Sequence, residues 1–252
     1  MTAPLRLLGV RVDPVSMDET VERIRDRLRG GPAGYVVTLN AVMLGRAAKD
    51  AEFCRIVNGA VVVTADGMGT LLAARILGMR IPERVAGVDL ADRLCALCAA
   101  EGFRVFLFGA TDGVADLAAR HLSSRHSGLA LVGTRHGFGT TDDGLVADAI
   151  RRAGADLLLV GLGSPRQEVW IDQWLPRTGA RIGIGVGGTL DVFAGRVPLA
   201  PNWMRAAGIE WLYRLIREPR RWRTAAALPA VMWMAIRERL RTNGESRSSD
   251  GY

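Results

Sequence analysis

Cysteine is nearly missing from this chain of 252 residues, which carries 3. An odd, small number rules against a disulfide framework and suits a reducing compartment. Cys95 and Cys98 have the spacing of a redox or zinc pair. No second pair accompanies them, and both fall in the apolar pattern of a helix, so they read as buried thiols. Met1–Arg11 shows no signal-peptide organisation. The longest uncharged apolar run, Thr224–Ile236, is interrupted by Pro229, and its about 13 residues fall short of the about 20 that span a bilayer. Asp-x-Asp, a spacing that lets two carboxylates hold a metal ion, is absent. His121, His126 and His136 have no ligand spacing and read as surface or loop residues. There is no internal repeat and no low-complexity linker.

What is present is ordinary in bulk and uneven in charge. Half the residues are apolar and 23% charged, as in a soluble globular protein with ample chain for a core. The net charge is +7, yet residues 196–252 hold 11 arginines against 5 acids. The basic character therefore belongs to the tail, which suggests an anionic partner surface.

Strand-like and helix-like stretches alternate. Leu5–Val10 reads as a short strand, and Ser16–Glu19 opens a helix with a capping box. Tyr35–Leu39 is a strand, Ala41–Asn58 one helix, and Val61–Ala65 a strand ending at Asp66-Gly67-Met68-Gly69, followed by a helix to Gly78. A loop from Ile81 leads to the helix Leu90–Ala100. Strands at Arg104–Phe108, Leu129–Thr134, Asp156–Val160 and Arg181–Val186 alternate with helices at Val114–Leu122, Asp142–Ala153 and Val169–Leu175. Strands without period-2 polarity, alternating with helices, predict an α/β fold: a Rossmann-like, mostly parallel sheet covered by helices. From Pro198 the strands cease and an Arg- and Trp-rich helical stretch follows. The expected division is an α/β catalytic domain over 1–197 and a basic helical appendage over 198–252.

Ligands of open parallel sheets bind past the carboxyl ends of the strands, and several such ends carry chemistry here. Asp66 could serve as a base or could merely cap the next helix. Thr38 and Asn40 end the preceding strand, and Arg84 lies in the loop after Asp66. An acid, a hydroxyl, an amide and a guanidinium together could bind a sugar and stabilise a leaving phosphate, for which the arginine fork is suited. Gly109-Ala110-Thr111-Asp112-Gly113 before a helix is a natural phosphate site. Gly161-Leu162-Gly163-Ser164-Pro165 starts like a dinucleotide fingerprint, but Arg166 stands where the last glycine belongs, and Asp191 is an imperfect ribose-binding acid. Gln167 and Glu168 open the following helix, where glutamate also suits the macrodipole.

Several ordered motifs carry a resemblance: Thr38–Ala41, Ala65–Gly69, Glu83–Leu90, Gly161–Glu168, Gly185–Asp191, Pro201–Met204, Gly208–Leu215 and Glu218–Arg221. In this order they resemble the WecG/TagA/CpsF family of bacterial glycosyltransferases, carbohydrate-active enzyme family 26, over Leu5 to Arg223. The resemblance implies inverting, metal-independent transfer from a UDP-sugar to a polyprenyl-diphosphate-linked saccharide, in cell-surface polysaccharide or teichoic acid synthesis, without a cofactor. It implies a cytoplasmic protein, peripheral on the inner face of the membrane. N-acetylmannosamine, its uronic acid, glucose and glucuronic acid are all candidate sugars. Asp66 falls on the family's proposed base, with Thr38, Asn40 and Arg84 in the same pocket; the Gln-Glu motif falls on Gln167 and Glu168. Gly109, Ala110, Gly163, Gly187 and Asp191 are the further substrate-binding candidates. Members often self-associate, and the oligomeric state stays open. Thr224–Tyr252 departs from the family's usual short ending.

The tail interleaves Trp203, Trp211, Trp222 and Trp233 with arginines, a composition suited to a membrane interface. Arg214, Arg217 and Arg221 follow i, i+3, i+7 spacing, although Pro219 starts a new helix within it. The tail is expected to dock on an anionic membrane and fold over the site, with arginines such as Arg214, Arg220 and Arg221 on a diphosphate. Two rival readings are an NAD-dependent Rossmann oxidoreductase and a nucleic-acid-binding protein; against the latter, no recognised nucleic-acid module is present.

Overall fold

The protein is described by a computed structural model covering residues 3–139, 142–201, 203–204, 210–217 and 222–249. The first expected strand is instead a hairpin. β1 (Leu5–Leu7) and β2 (Val10–Val12) pair antiparallel. The two residues between them, Leu8 (φ 53°) and Gly9 (φ 81°), both take the left-handed conformation that tight hairpin turns require. α1 (Met17–Leu28) then starts at Ser16 with the predicted capping box, Ser16 and Glu19 exchanging side chain-to-backbone bonds.

Six strands form the main sheet: β3 (Gly34–Leu39), β4 (Val62–Ala65), β5 (Arg104–Gly109), β6 (Ala130–Arg135), β7 (Leu157–Gly161) and β8 (Ile182–Gly185). Their order is β4-β3-β8-β7-β5-β6, and every neighbouring pair is parallel. Helices cover both faces, as the unbroken apolar strands require. On one face lie α2 (Ala41–Ala47), α3 (Ala51–Gly59), α4 (Met68–Ile76), α7 (Asp143–Ala153) and α8 (Arg166–Thr178). On the other, α1 is joined by α5 (Gly87–Glu101), α6 (Val114–Arg125) and the short α9 (Thr189–Phe193). The helix expected over Ala41–Asn58 is thus two. Asp50 accepts from the Phe53 N–H and opens a new N-terminus, a break that apolar periodicity passes over.

The outer side of β4 is closed locally. The Asp13 N–H donates to Val63 O at 2.8 Å, and Val63 N–H returns a bond to Asp13 Oδ2 at 2.8 Å. Arg11 meets the other carboxylate oxygen at 2.9 Å.

No strand follows β8 among the described residues. The tail contributes α10 (Glu210–Arg217) and α11 (Trp222–Ser249), the latter running through Pro229. Pro219, Arg220 and Arg221 lie outside the described residues. α11 packs on α2 and α4, burying Val231 and Ala235 in the same core as those helices. Small residues admit it: a Cβ on Gly69 would stand 2.6 Å from Leu228 Cδ1, and one on Gly45 3.0 Å from Val231 Cγ2. Arg239 closes the contact by donating to Ile76 O at the end of α4, at 2.9 Å.

Candidate active site

Adjacent strands β3 and β8 are followed by helices on opposite faces, α2 and α9. Such a reversal opens a crevice at the carboxyl edge of a parallel sheet. The strand register sets what lines it. Thr38 pairs with Thr64 and Leu39 with Ala65, so Asn40 and Asp66 emerge side by side at the ends of β3 and β4. The Asp66 N–H donates to Leu39 O at 2.8 Å, fixing that alignment.

Asp66 does not cap the helix that follows it. α4 begins at Gly67, whose φ of 83° favours glycine, with no side-chain cap. The carboxylate turns instead to α5, 21 residues further on, where Oδ2 accepts the Gly87 N–H at 3.2 Å. α5 has no side-chain cap of its own, so its positive end faces Asp66. Gly87 also matters by its size. A Cβ there would lie 3.0 Å from Thr38 Oγ1 and 3.6 Å from Asp66 Oδ2, which places hydroxyl and carboxylate around one backbone atom. Thr38 is 9% exposed.

Asn40 is partly a structural residue. Its Oδ1 accepts from Val42 and Met43 N–H at 3.0 and 3.1 Å, capping α2. Arg84, half-buried, meets Glu210 of α10, Nη1 to Oε2 at 3.5 Å. The loop carrying it is pinned on both sides, by Met17 N–H to Glu83 Oε2 at 2.8 Å and Val85 N–H to Ala65 O at 3.0 Å.

A second cluster sits at the ends of β7 and β8. Gln167 Oε1 accepts from Gly163 N–H at 3.1 Å and Gly187 N–H at 2.9 Å, tying both glycine turns together. Its Nε2 donates to Glu168 Oε1 at 2.7 Å. Gly185 makes room, since a Cβ there would stand 2.5 Å from Gln167 Nε2. Glu168 is 2% exposed, and its Oε2 has no hydrogen-bond partner. Burial pushes its pKa above the ordinary carboxylate value, against the opposing bond from Gln167. Next to this cluster, Gly109 (φ 131°) and Ala110 (φ 55°) form the turn after β5. A Cβ on Gly109 would run into the Gly161 backbone at 2.4 Å, and Ala110 N–H donates to Gly161 O. Asp191 lies half-buried in α9, beyond β8.

The expected residues therefore fall into two groups. Thr38, Asn40 and Asp66 come together at the ends of β3 and β4, with the Arg84 loop held beside them by Val85 N–H on Ala65 O; Gly163, Gln167, Glu168 and Gly187 come together at β7 and β8. Arg214 lies on α10, and Arg220 and Arg221 fall outside the described residues. Two residues went unnoticed as site members, Gly87 and Glu210, although both stand inside motifs already singled out. The histidines are held by other groups: His121 and His136 by the carbonyls of Phe193 and Phe138, His126 by Asp92. Cys95 and Cys98 are buried, and burial raises both thiol pKa values, that of Cys95 to about 12. Among the described residues no three His, Cys, Asp or Glu side chains gather as metal ligands.

A doubly covered parallel sheet with polar side chains at its carboxyl edge places the chain among the Rossmann-like α/β proteins. Comparison with known proteins gives the particular kind. The model of the Glycosyl transferase WecG/TagA/CpsF family matches residues 5–245, and the chain belongs to that family. It is similar to N-acetylglucosaminyldiphosphoundecaprenol N-acetyl-beta-D-mannosaminyltransferase of Bacillus subtilis (strain 168), with 32% identity over 81% of this chain and 79% of the relative. The protein of the same name from Staphylococcus aureus (strain MW2) is 30% identical over 92% of each chain. The chain is thus a glycosyltransferase, and the oxidoreductase reading of the Gly161–Pro165 turn falls away.

Proposed function

We propose that the chain moves a sugar from a UDP-sugar to a saccharide linked to polyprenyl diphosphate, with inversion and without a metal ion. The relatives' names favour N-acetylmannosamine as the sugar and N-acetylglucosaminyl-diphosphoundecaprenol as the acceptor. The observation that carries the reading is the Asp66 carboxylate, aimed by the Gly87 N–H beside Thr38 in the β3–β8 crevice.

An acceptor hydroxyl is a poor nucleophile near neutral pH, and a base within hydrogen-bond reach removes its proton as the new bond forms. Asp66 would do this on the sugar face opposite the leaving UDP, which inverts the anomeric carbon. Thr38 would orient the hydroxyl. Charge developing on the UDP would fall to Arg84, to tail arginines and to backbone N–H groups. Gln167 would hold the two glycine turns against which the donor lies, with Asp191 open to the ribose.

Residues 198–252 act in this reading as a membrane-associating appendage to a catalytic domain over 1–197. No helix among the described residues is long and apolar enough to cross a bilayer. The face of α11 turned away from α2 and α4 carries Trp233 (66% exposed), Ile236 and Leu240 (68% exposed), flanked by Arg237 and Arg241. Rings and cations so arranged suit the headgroup layer of an anionic membrane on the cytoplasmic side.

A screen of UDP-sugars against a short-chain polyprenyl-diphosphate N-acetylglucosamine tests the proposal. Transfer by the wild type and its collapse in Asp66→Asn are expected; full turnover in that variant would remove Asp66 as the base.

A further inference from the structure

A cleft of about 410 Å³ opens between α4 and the arm that runs from its end towards Arg84. Leu71 and Arg75 line it from the helix, and Arg80, Ile81 and Pro82 from the arm. Both arginines are exposed, and neither has an ion-pair partner among the described residues. Arg84, four residues further along the arm, is by contrast paired with Glu210. The cleft therefore offers two uncompensated guanidinium groups above a wall of aliphatic carbon.

That combination selects an amphiphile with an anionic head. A guanidinium fork matches phosphate oxygens, and Leu71, Ile81 and Pro82 would be left facing water by a purely hydrophilic anion. The neighbourhood points the same way. α4 is the helix onto which α11 packs, and Arg239 of α11 closes the end of α4 at Ile76. The cleft thus flanks the helix that supports the outward Trp233, Ile236 and Leu240 stripe, and Leu72, beside Leu71, is itself exposed.

We infer that the Arg75–Arg80 cleft binds the phosphate headgroup of an anionic membrane phospholipid. The catalytic part then carries a lipid contact of its own, separate from the tail, and the arm holding Arg84 rides at headgroup level. The inference rests on the reading of the chain as an enzyme of a lipid-linked acceptor.

The test is co-sedimentation of the full chain, as wild type and as the double variant Arg75→Gln/Arg80→Gln. The vesicles are phosphatidylcholine alone, or an equimolar mixture with phosphatidylglycerol. Binding to the mixed vesicles should weaken about fivefold per arginine and about thirtyfold for the pair, with binding to neutral vesicles unchanged. Transfer to a short, water-soluble acceptor should stay at the wild-type rate, which also shows that the variant folds. Equal binding of variant and wild type to mixed vesicles would overturn the inference. So would loss of transfer to the short acceptor, which would assign the cleft to the acceptor's diphosphate. Thermal protection of the wild type alone by inorganic phosphate, with vesicle binding equal, would make it a free-phosphate site. A wild type inactive on every soluble acceptor, with vesicle binding still falling on substitution, would sink the proposed acceptor and leave the cleft standing.

Discussion

Asp66 and Glu168 are two carboxylates at strand–helix junctions of one sheet edge, and their surroundings differ in every respect that matters for chemistry. Asp66 is half-buried, lies at the mouth of a crevice and accepts a backbone N–H from the start of another helix. Glu168 is buried beneath its own helix, with one oxygen on Gln167 and the other on nothing. A base must be within reach of its substrate; Glu168 is buried away from solvent, and that burial pushes its pKa upward. In the proposed reading the first junction touches a substrate, while at the second Gln167 holds two turns in place.

Substitutions can break that contrast or sharpen it. The largest effect should be on Asp66→Asn, which keeps the shape and removes the proposed base: kcat should fall about 10²- to 10⁴-fold with the melting temperature close to wild type. A marked fall in melting temperature there would instead make Asp66 a structural residue. Gln167→Ala leaves the Gly163 and Gly187 N–H groups and Glu168 without their partner. It should cost about 2–3 kcal/mol in denaturant unfolding, and an unchanged midpoint would refute the clamp. Gly87→Ala pushes a methyl against Thr38 Oγ1. With reacting groups displaced by tenths of an ångström, kcat/KM should drop about tenfold while the fold survives; wild-type kinetics would show that the Thr38–Asp66 spacing is not critical.

The smallest effect belongs to Glu168→Gln. A folded-state pKa above the unfolded one means that the native state holds the proton more tightly. Glu168 therefore favours folding below the ordinary carboxylate pKa, and that advantage is lost as pH rises through the raised value. Glutamine keeps an acceptor for Gln167 without the charge. The variant should melt above wild type at neutral pH and lose that lead in acid. A pH-independent difference would mean that Glu168 is not the titrating group.

Much of this was legible in the sequence. β-branched strands ending in glycine, and capping residues such as Ser16, marked the alternation of strands and helices, and the strand-end polar residues marked the sheet edge. What escaped depended on distance or on one residue's conformation. Leu8 in the left-handed region turned an expected strand into a hairpin, where leucine gives no turn signal. Asp50 split a helix whose apolar spacing ran on unbroken. The pairing of Arg84 with Glu210 joins residues 126 apart, and no local pattern encodes it. The second apolar face of α11 was hidden for a related reason: a helix apolar on two sides shows no single stripe. That Gln167 faces two glycine turns, and that Asp66 serves α5 rather than α4, follow from strand order, which spacing alone does not give.

The closure of β4 by Asp13 bears on how the protein lives with its own copies. An outer strand with free N–H and C=O groups is a template for another chain. Here Val63 spends both groups on Asp13, and Ala65 O is taken by Val85 N–H. On the membrane surface proposed for this chain, copies would meet one another far more often than in bulk water. A margin closed at Val63 and Ala65 would allow such crowding without sheet-to-sheet growth into aggregates.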